Sequence, residues 1–164
     1  IQRVRSFVKK PDAGRIAMDP NELMADVISL AEVDSRVNDV SVHFSPQGKL
    51  PQIEVDPVQI QQVALNLIRN AIEASSGVGA QLQGVEVTTQ LQGQMVRFEV
   101  VDFGVGVNKA TAAKLFDPFF TTKANGMGVG LSICQSIVQA HSGEIAYRPN
   151  PRGGAIFYFS LPVR

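Results

Sequence analysis

Apolar and polar positions alternate in two distinct periods along the chain, and the two periods separate helices from strands. Asp19-Pro20-Asn21-Glu22 supplies capping residues, and Leu23, Val27, Ile28, Leu30 and Ala31 then recur at helical spacing, which predicts a helix to about Ser35. Asp56-Pro57, an N-cap followed by proline at the first helical position, opens a second helix to about Ser75. A third runs over Leu131–His141 and stops at Gly143. Strand-like alternation marks Val40, Val42 and Phe44, then Ile53 and Val55, with a short edge strand at Arg15–Met18. Val85–Leu91 and Met95–Val101 form a hairpin joined at Gln92-Gly93, and Ile145–Arg148 with Ala155–Leu161 form a closing hairpin. Asp102 to Gly130 reads as irregular, and Gly77-Val-Gly79 with Gly84 as a flexible connection. Helices and strands segregate, so the expected fold is an α+β sandwich, one mixed sheet under helices.

Composition narrows the possibilities. The 164 residues suit one domain with a real core, and 45% hydrophobic against 18% charged residues exclude a disordered chain. Fifteen basic residues balance fifteen acidic ones, so no global field favours nucleic acid or an anionic membrane. The lone Cys134 excludes an internal disulfide and a four-cysteine zinc site. The longest run without a charge, Ala124 to Gly143, carries four glycines and several polar residues, which a lipid-facing helix would not tolerate. Arg3, Arg5, Lys9 and Lys10 precede Pro11-Asp-Ala-Gly14 and not an apolar stretch, so no signal peptide is expected. Ile1, Val4, Phe7 and Val8 at helical spacing read as the end of a helix from a preceding domain. That sets the boundaries at 1–14 for this stump and linker and 15–164 for the domain.

Four clusters could carry chemistry. On the helix after Pro57, Gln59, Gln62, Asn66, Asn70 and Glu73 lie within about 40° of Asn66 at 100° per residue. A solvated helix face is the plain reading of that stripe. Asparagines are poor helix formers, however, and their amide oxygens are hard neutral ligands suited to Mg²⁺. Asp102-Phe-Gly104-Val-Gly106 ends a strand, where a carboxylate can accept from an exocyclic amine such as adenine presents, and glycines admit close approach. In Lys114-Leu-Phe116-Asp-Pro118-Phe-Phe-Thr-Thr-Lys123, aromatic anchors Phe116, Phe119 and Phe120 would clamp a lid whose Thr121, Thr122 and Lys123 can face an anion. Gly126-Met-Gly128-Val-Gly130-Leu131 opens a helix, and backbone N–H groups there form an anion site. It is neither a dinucleotide fingerprint nor a Walker A loop.

Taken in order, the four clusters resemble the catalytic and ATP-binding domain of two-component sensor histidine kinases, in the superfamily that also holds gyrase and Hsp90. Asn66-Leu-Ile-Arg-Asn70-Ala is similar to the N box and Asp102-Phe-Gly104-Val-Gly106 to the first glycine box. Phe116-Asp-Pro-Phe-Phe-Thr-Thr-Lys123 is similar to the F box and Gly126-Met-Gly-Val-Gly130-Leu131 to the second glycine box. The resemblance implies the Bergerat-type ATP-binding fold, a two-layer α/β sandwich with a mixed, mostly antiparallel sheet, with ATP and Mg²⁺ as cofactors. It implies that Asp102 accepts from the adenine amine, that Asn70 with Asn66 holds Mg²⁺, and that Gly104, Gly106, Gly126, Gly128 and Gly130 wrap the nucleotide. Lys123 would meet the phosphates, and Phe116, Thr121, Thr122 and Leu131 would also bind the nucleotide.

The resemblance further implies transfer of the γ-phosphoryl to a histidine on a separate dimerisation and phosphoacceptor domain, a response regulator receiver domain as downstream partner, and a cytoplasmic location, with the parent protein anchored in the inner membrane as one option. Without the helical domain a monomer, or a weak dimer through Ile1, Val4 and Val8, is expected. The chain departs from the family at Glu73, where a lysine is common. The phosphate contact would then pass to Lys123 or Arg69, with Glu73 on a metal-bound water. Phe103 and Met127 are further departures. His43, in a strand, and His141, at a helix end, both lack the acidic neighbour of a phosphoacceptor. The rival readings are an ATP hydrolase, which would need a glutamate where Asn66 stands, and a non-catalytic module that responds to nucleotide.

Overall fold

Alternating Val, Phe and Ile residues build the strands, and Asp-Pro starts set two of the helices. The computed structural model describes residues 14–76, 83–118, 120 and 130–164. The elements run β1 (Ile16–Met18), α1 (Pro20–Leu30), α2 (Glu32–Asn38), β2 (Val42–Pro46), β3 (Ile53–Val55), α3 (Pro57–Ser75), β4 (Val85–Gln92), β5 (Met95–Val101), α4 (Lys109–Ala112), α5 (Gly130–Ala140), β6 (Glu144–Pro149) and β7 (Ala155–Pro162). The expected stump at residues 1–13 and the glycine connection at 77–82 lie outside the described residues.

The main sheet has the order β2-β4-β5-β7-β6; β2 runs parallel to β4 and the other pairs are antiparallel. It is the mixed, mostly antiparallel sheet expected. The edge strand β1 does not join it: β1 pairs with β3 in a separate two-stranded sheet, with Ile16 opposite Val55. The β4–β5 turn falls one residue later than the spacing suggests, since Gln92 still pairs with Met95 and Gly93 takes the left-handed conformation, φ 61°. The chain between Asp102 and Gly130 is not wholly irregular either. Asn108 accepts from the Thr111 N–H and caps the single turn α4.

The helix expected from Asp19 to Ser35 breaks at Ala31. Leu23, Met24, Val27 and Ala31 are all fully buried, whereas α2 buries nothing of its own. The core thus holds the chain only as far as Ala31, whose backbone (ψ −5°) ends the first ladder and starts the second. Asp34 on α2 then pairs with Arg69 on α3 at 3.0 Å.

One face of the main sheet carries Val85, Val87, Val96, Phe98, Val100, Phe159 and Leu161 into the core. Phe98 and Phe159, opposite each other on β5 and β7, stack at 4.6 Å between centroids. The helices cover this face. From α3, Ile60, Val63, Ala64, Leu67, Ile68 and Ile72 point into the core, which leaves the neighbouring stripe with Asn66 and Asn70 along its border. The opposite sheet face is polar: Glu99 bridges Arg97 and Arg148, 3.3 Å to each, and Arg97 lies over the Tyr158 ring.

His141 ties the end of α5 to the start of α3. The Asp56 N–H donates to its Nε2 (3.1 Å), so Nδ1 carries the proton and donates to the Ile137 carbonyl at 2.8 Å. Arg15 donates to the neighbouring Ala140 carbonyl. Burial, helped by the Arg15 charge, pushes the His141 pKa below its ordinary 6.5, against the Ile137 bond and the Asp56 charge. The unfolded chain therefore binds a proton there that the folded chain resists, so this contribution to stability is complete above pH 6.5 and is lost as pH falls below it. Urea unfolding across that range should show stability falling toward acid. His141→Gln should flatten the slope, and an unchanged slope in the variant would assign it to other groups.

Candidate functional site

The polar border of α3 is where the described parts of the sequence clusters meet. Asp56 caps the helix by accepting from Val58 and Gln59 N–H, with Pro57 at its first position. About three turns further along, Asn70 Nδ2 donates to Asn66 Oδ1 at 3.1 Å. This bond turns the Asn70 oxygen away from Asn66. Both asparagines are half-buried, and Glu73, one turn on, is exposed.

Gly130, the first residue of α5, sits against Asn66. A Cβ on Gly130 would lie 2.7 Å from Asn66 Nδ2, so a larger residue would have to push the Asn66 amide aside. At the far end of α3, a Cβ on Gly104 would stand 2.1 Å from the Ala74 carbonyl oxygen. Gly130 and Gly104 are thus fixed to one helix about 12 Å apart, from eight residues of rise. Leu131 and Phe116 are half-buried against the core. Lys123, Thr121, Thr122, Gly126 and Gly128, together with Phe119 and Met127, lie outside the described residues. Arg69 does not face the asparagine stripe, because its guanidinium is paired with Asp34.

Asp102 is 2% exposed and has two N–H donors on one oxygen: Gly104 at 3.0 Å and Ala155 at 3.1 Å, both to Oδ1. Burial pushes its pKa above the ordinary 3.8, and these two bonds oppose the rise by favouring the ionised form. Oδ2 receives no hydrogen bond among the described residues and remains an acceptor for a group entering from outside. The residues present fit an adenine nucleotide in this respect: a buried carboxylate with one anchored and one open oxygen, and glycine backbone beside it. For Mg²⁺ the fitting donor is the Asn70 amide oxygen, a hard neutral group, because the Asn66 oxygen accepts from Asn70 Nδ2.

Sequence reasoning placed the turn between β6 and β7 but missed its contact with Asp102. Asn150 Nδ2 donates to the Asp102 carbonyl (2.9 Å), and Arg152 lies 4.9 Å over the Phe103 ring. Gly154 has φ 99°, and a Cβ there would sit 2.2 Å from the Asp102 carbonyl oxygen. Tyr147 on β6 is also near, its hydroxyl donating weakly to Val107 O at 3.4 Å; partial burial and the Asp102 charge push its phenol pKa up. The one signal in the sequence was the paired Gly153-Gly154, which shows a turn but not what it folds onto.

Gly93 and Gly154 separate two costs. Both have positive φ, but a Cβ added at Gly93 would meet nothing within 4 Å. Gly93→Ala should cost about 1–2 kcal/mol for the backbone conformation alone. Gly154→Ala should cost distinctly more in guanidinium unfolding, and equal losses would mean that the turn absorbs the clash.

The model of the family described as histidine kinase-, DNA gyrase B-, and HSP90-like ATPase matches residues 55–164. The C4-dicarboxylate transport sensor protein DctS of Rhodobacter capsulatus is 39% identical over 163 residues, covering 99% of this chain and 25% of that protein. The chain spans between 17% and 35% of the length of the sensor proteins it matches. The catalytic domain of histidine kinase ThkA superimposes with a TM-score of 0.78 at 32% identity, covering 91% of this chain and 95% of that one. ThkA in complex with response regulator protein TrrA gives 0.76 at 27% identity, over 99% of this chain and 46% of that one. Full-length ShkA in complex with AMPPNP gives 0.78 at 27%, over 91% of this chain and 31% of that one.

Proposed function

Because the chain belongs to the histidine kinase-, DNA gyrase B- and HSP90-like ATPases, and within them to the catalytic ATP-binding domains of histidine kinases, we propose that it binds ATP with Mg²⁺ along α3 and delivers the γ-phosphoryl group to a histidine on a separate helical domain. The observation that carries this reading is the pairing of a buried Asp102, open at Oδ2, with the Asn66–Asn70 amide pair pressed against Gly130. AMPPNP in the similar ShkA supports the nucleotide.

In this assignment Asp102 Oδ2 accepts from the adenine amine, and Gly104 and Gly106 let the backbone lie close to the base. Asn70, oriented by Asn66, would offer an amide oxygen to Mg²⁺, and Glu73 would hold a water beside it. When bound, the metal neutralises charge developing on the phosphates. Gly126, Gly128 and Gly130 give the phosphates backbone room, Lys123 supplies the cation that Glu73 cannot, and Phe116, Thr121, Thr122 and Leu131 also contact the nucleotide. Catalysis by such a site is positioning and charge neutralisation, with little covalent work for the protein.

Transfer is favoured over hydrolysis because the residue facing Gly130 is Asn66, whose amide cannot take a proton from water. The acceptor belongs to another domain: His141 has both ring nitrogens engaged in the core, and His43 lies exposed on β2, on the strand flank of the molecule. The dimerisation and phosphoacceptor domain would precede residue 15, and the receiver domain of a response regulator would take the phosphoryl group next. The ThkA–TrrA complex supports that partner. A cytoplasmic location accords with this role; no described helix is long and apolar enough to cross a membrane.

Calorimetric titration with AMPPNP should give one-to-one binding that changes with Mg²⁺. Asp102→Asn should weaken it by about 1–3 kcal/mol, through loss of a buried acceptor. Asn70→Asp should alter the metal dependence more than the metal-free affinity. Equal affinity in wild type and Asp102→Asn would remove the adenine assignment. Incubation with ATP and the separate acceptor domain should yield acid-labile phosphohistidine; binding without transfer would leave a nucleotide-responsive module.

A further inference from the structure

The turn between β6 and β7 belongs to none of the four sequence clusters, yet it supplies more of the Asp102 environment than any of them. Its shape is set internally: Gly153 N–H donates to Asn150 O (2.9 Å), Asn150 N–H to Gly154 O (3.2 Å), and Arg152 N–H to Asn150 Oδ1 at 3.1 Å. Asn150 is 8% exposed, so its remaining amide group must find a partner inside the protein. That partner is the carbonyl of Asp102, 48 residues away in sequence. On the other side of the same residue, the Asp102 N–H donates to Ala155 O (2.9 Å) and the Ala155 N–H returns to Oδ1.

The main chain of Asp102 is therefore held at its N–H by Ala155 and at its carbonyl by Asn150. The Asn150 bond matters for the carboxylate because the peptide it restrains leads directly into Phe103 and Gly104, and the Gly104 N–H is the second donor on Oδ1. A free rotation of that peptide would swing this donor away and release the carboxylate to pivot about Cα–Cβ. We infer that Asn150 is a positioning residue for base recognition: by fixing the Asp102 peptide it aims Oδ2 at the exocyclic amine of adenine. The inference rests on the assignment of Asp102 to adenine made above.

A residue that merely closes the turn would, when lost, lower stability and weaken every nucleotide alike. A positioning residue acts only on the amine. The test is calorimetric titration of the whole chain with ADP and with the diphosphate of purine riboside, which differs from ADP by lacking that amine. Wild type should prefer ADP by about tenfold, the worth of one well-made buried hydrogen bond. Asn150→Asp keeps the oxygen that accepts from Arg152 but removes the donor; Asn150→Ala removes both. Each should bring the preference close to one while affinity for the purine riboside diphosphate stays unchanged, and thermal unfolding should show the larger loss for Asn150→Ala. A preference retained in folded Asn150→Asp would overturn the positioning role. A wild type that binds both diphosphates equally would overturn the adenine assignment beneath it, and one that binds neither would overturn the nucleotide reading.

Discussion

The amphipathic split of α3 is the constraint on which the rest of the structure depends. Burying Ile60, Val63, Leu67, Ile68 and Ile72 against the sheet fixes the rotation of the helix about its axis, because no other face could satisfy that core. Once that rotation is set, the stripe with Asn66, Asn70 and Glu73 has one place to go, the border between the helical layer and open space. Glycine at positions 104 and 130 then lets two other chain segments touch the helix, one on its backbone and one on a side chain. The site is thus a by-product of core packing, not a separate construction on top of it.

Much of this was legible in the sequence because it is local. Asp56-Pro57 and the four-residue spacing of Asn66 and Asn70 are contained within single elements, and period alone places them. What was not legible depends on contacts between distant segments. The break at Ala31 arises because burial stops there, which the apolar pattern of Val33 and Val37 does not reveal. The separate β1–β3 pair follows from where Ile53 and Val55 are covered, and the hold of Asn150 on Asp102 spans 48 positions. A Pro-Asn-Pro-Arg-Gly-Gly turn would look the same in the sequence wherever it folded. Glu73 stands in the middle: its place on the stripe was clear, but its chemistry departs from the family and rests on neighbours.

The physical economy of the Asp102 environment also bears on its role. A carboxylate buried this deeply is costly unless bonded, and here the bonds come from backbone N–H groups, not from a cation. A cation would neutralise the acceptor and close both oxygens. Neutral donors on one oxygen leave the other with its charge and direction intact. The glycine-rich segments on either side serve the same end, since they bring donors close without side chains of their own.

The strand order has a consequence for how the domain behaves among other molecules. β2 and β6 are the outer strands of the main sheet, and each ends in a proline, Pro46 and Pro149. Proline offers no N–H to a neighbouring strand, and β6 adds Glu144 and Arg148 near its ends, so neither border makes a long, even template for another sheet. The domain is in this way kept from zipping edge to edge onto the sheet of another molecule.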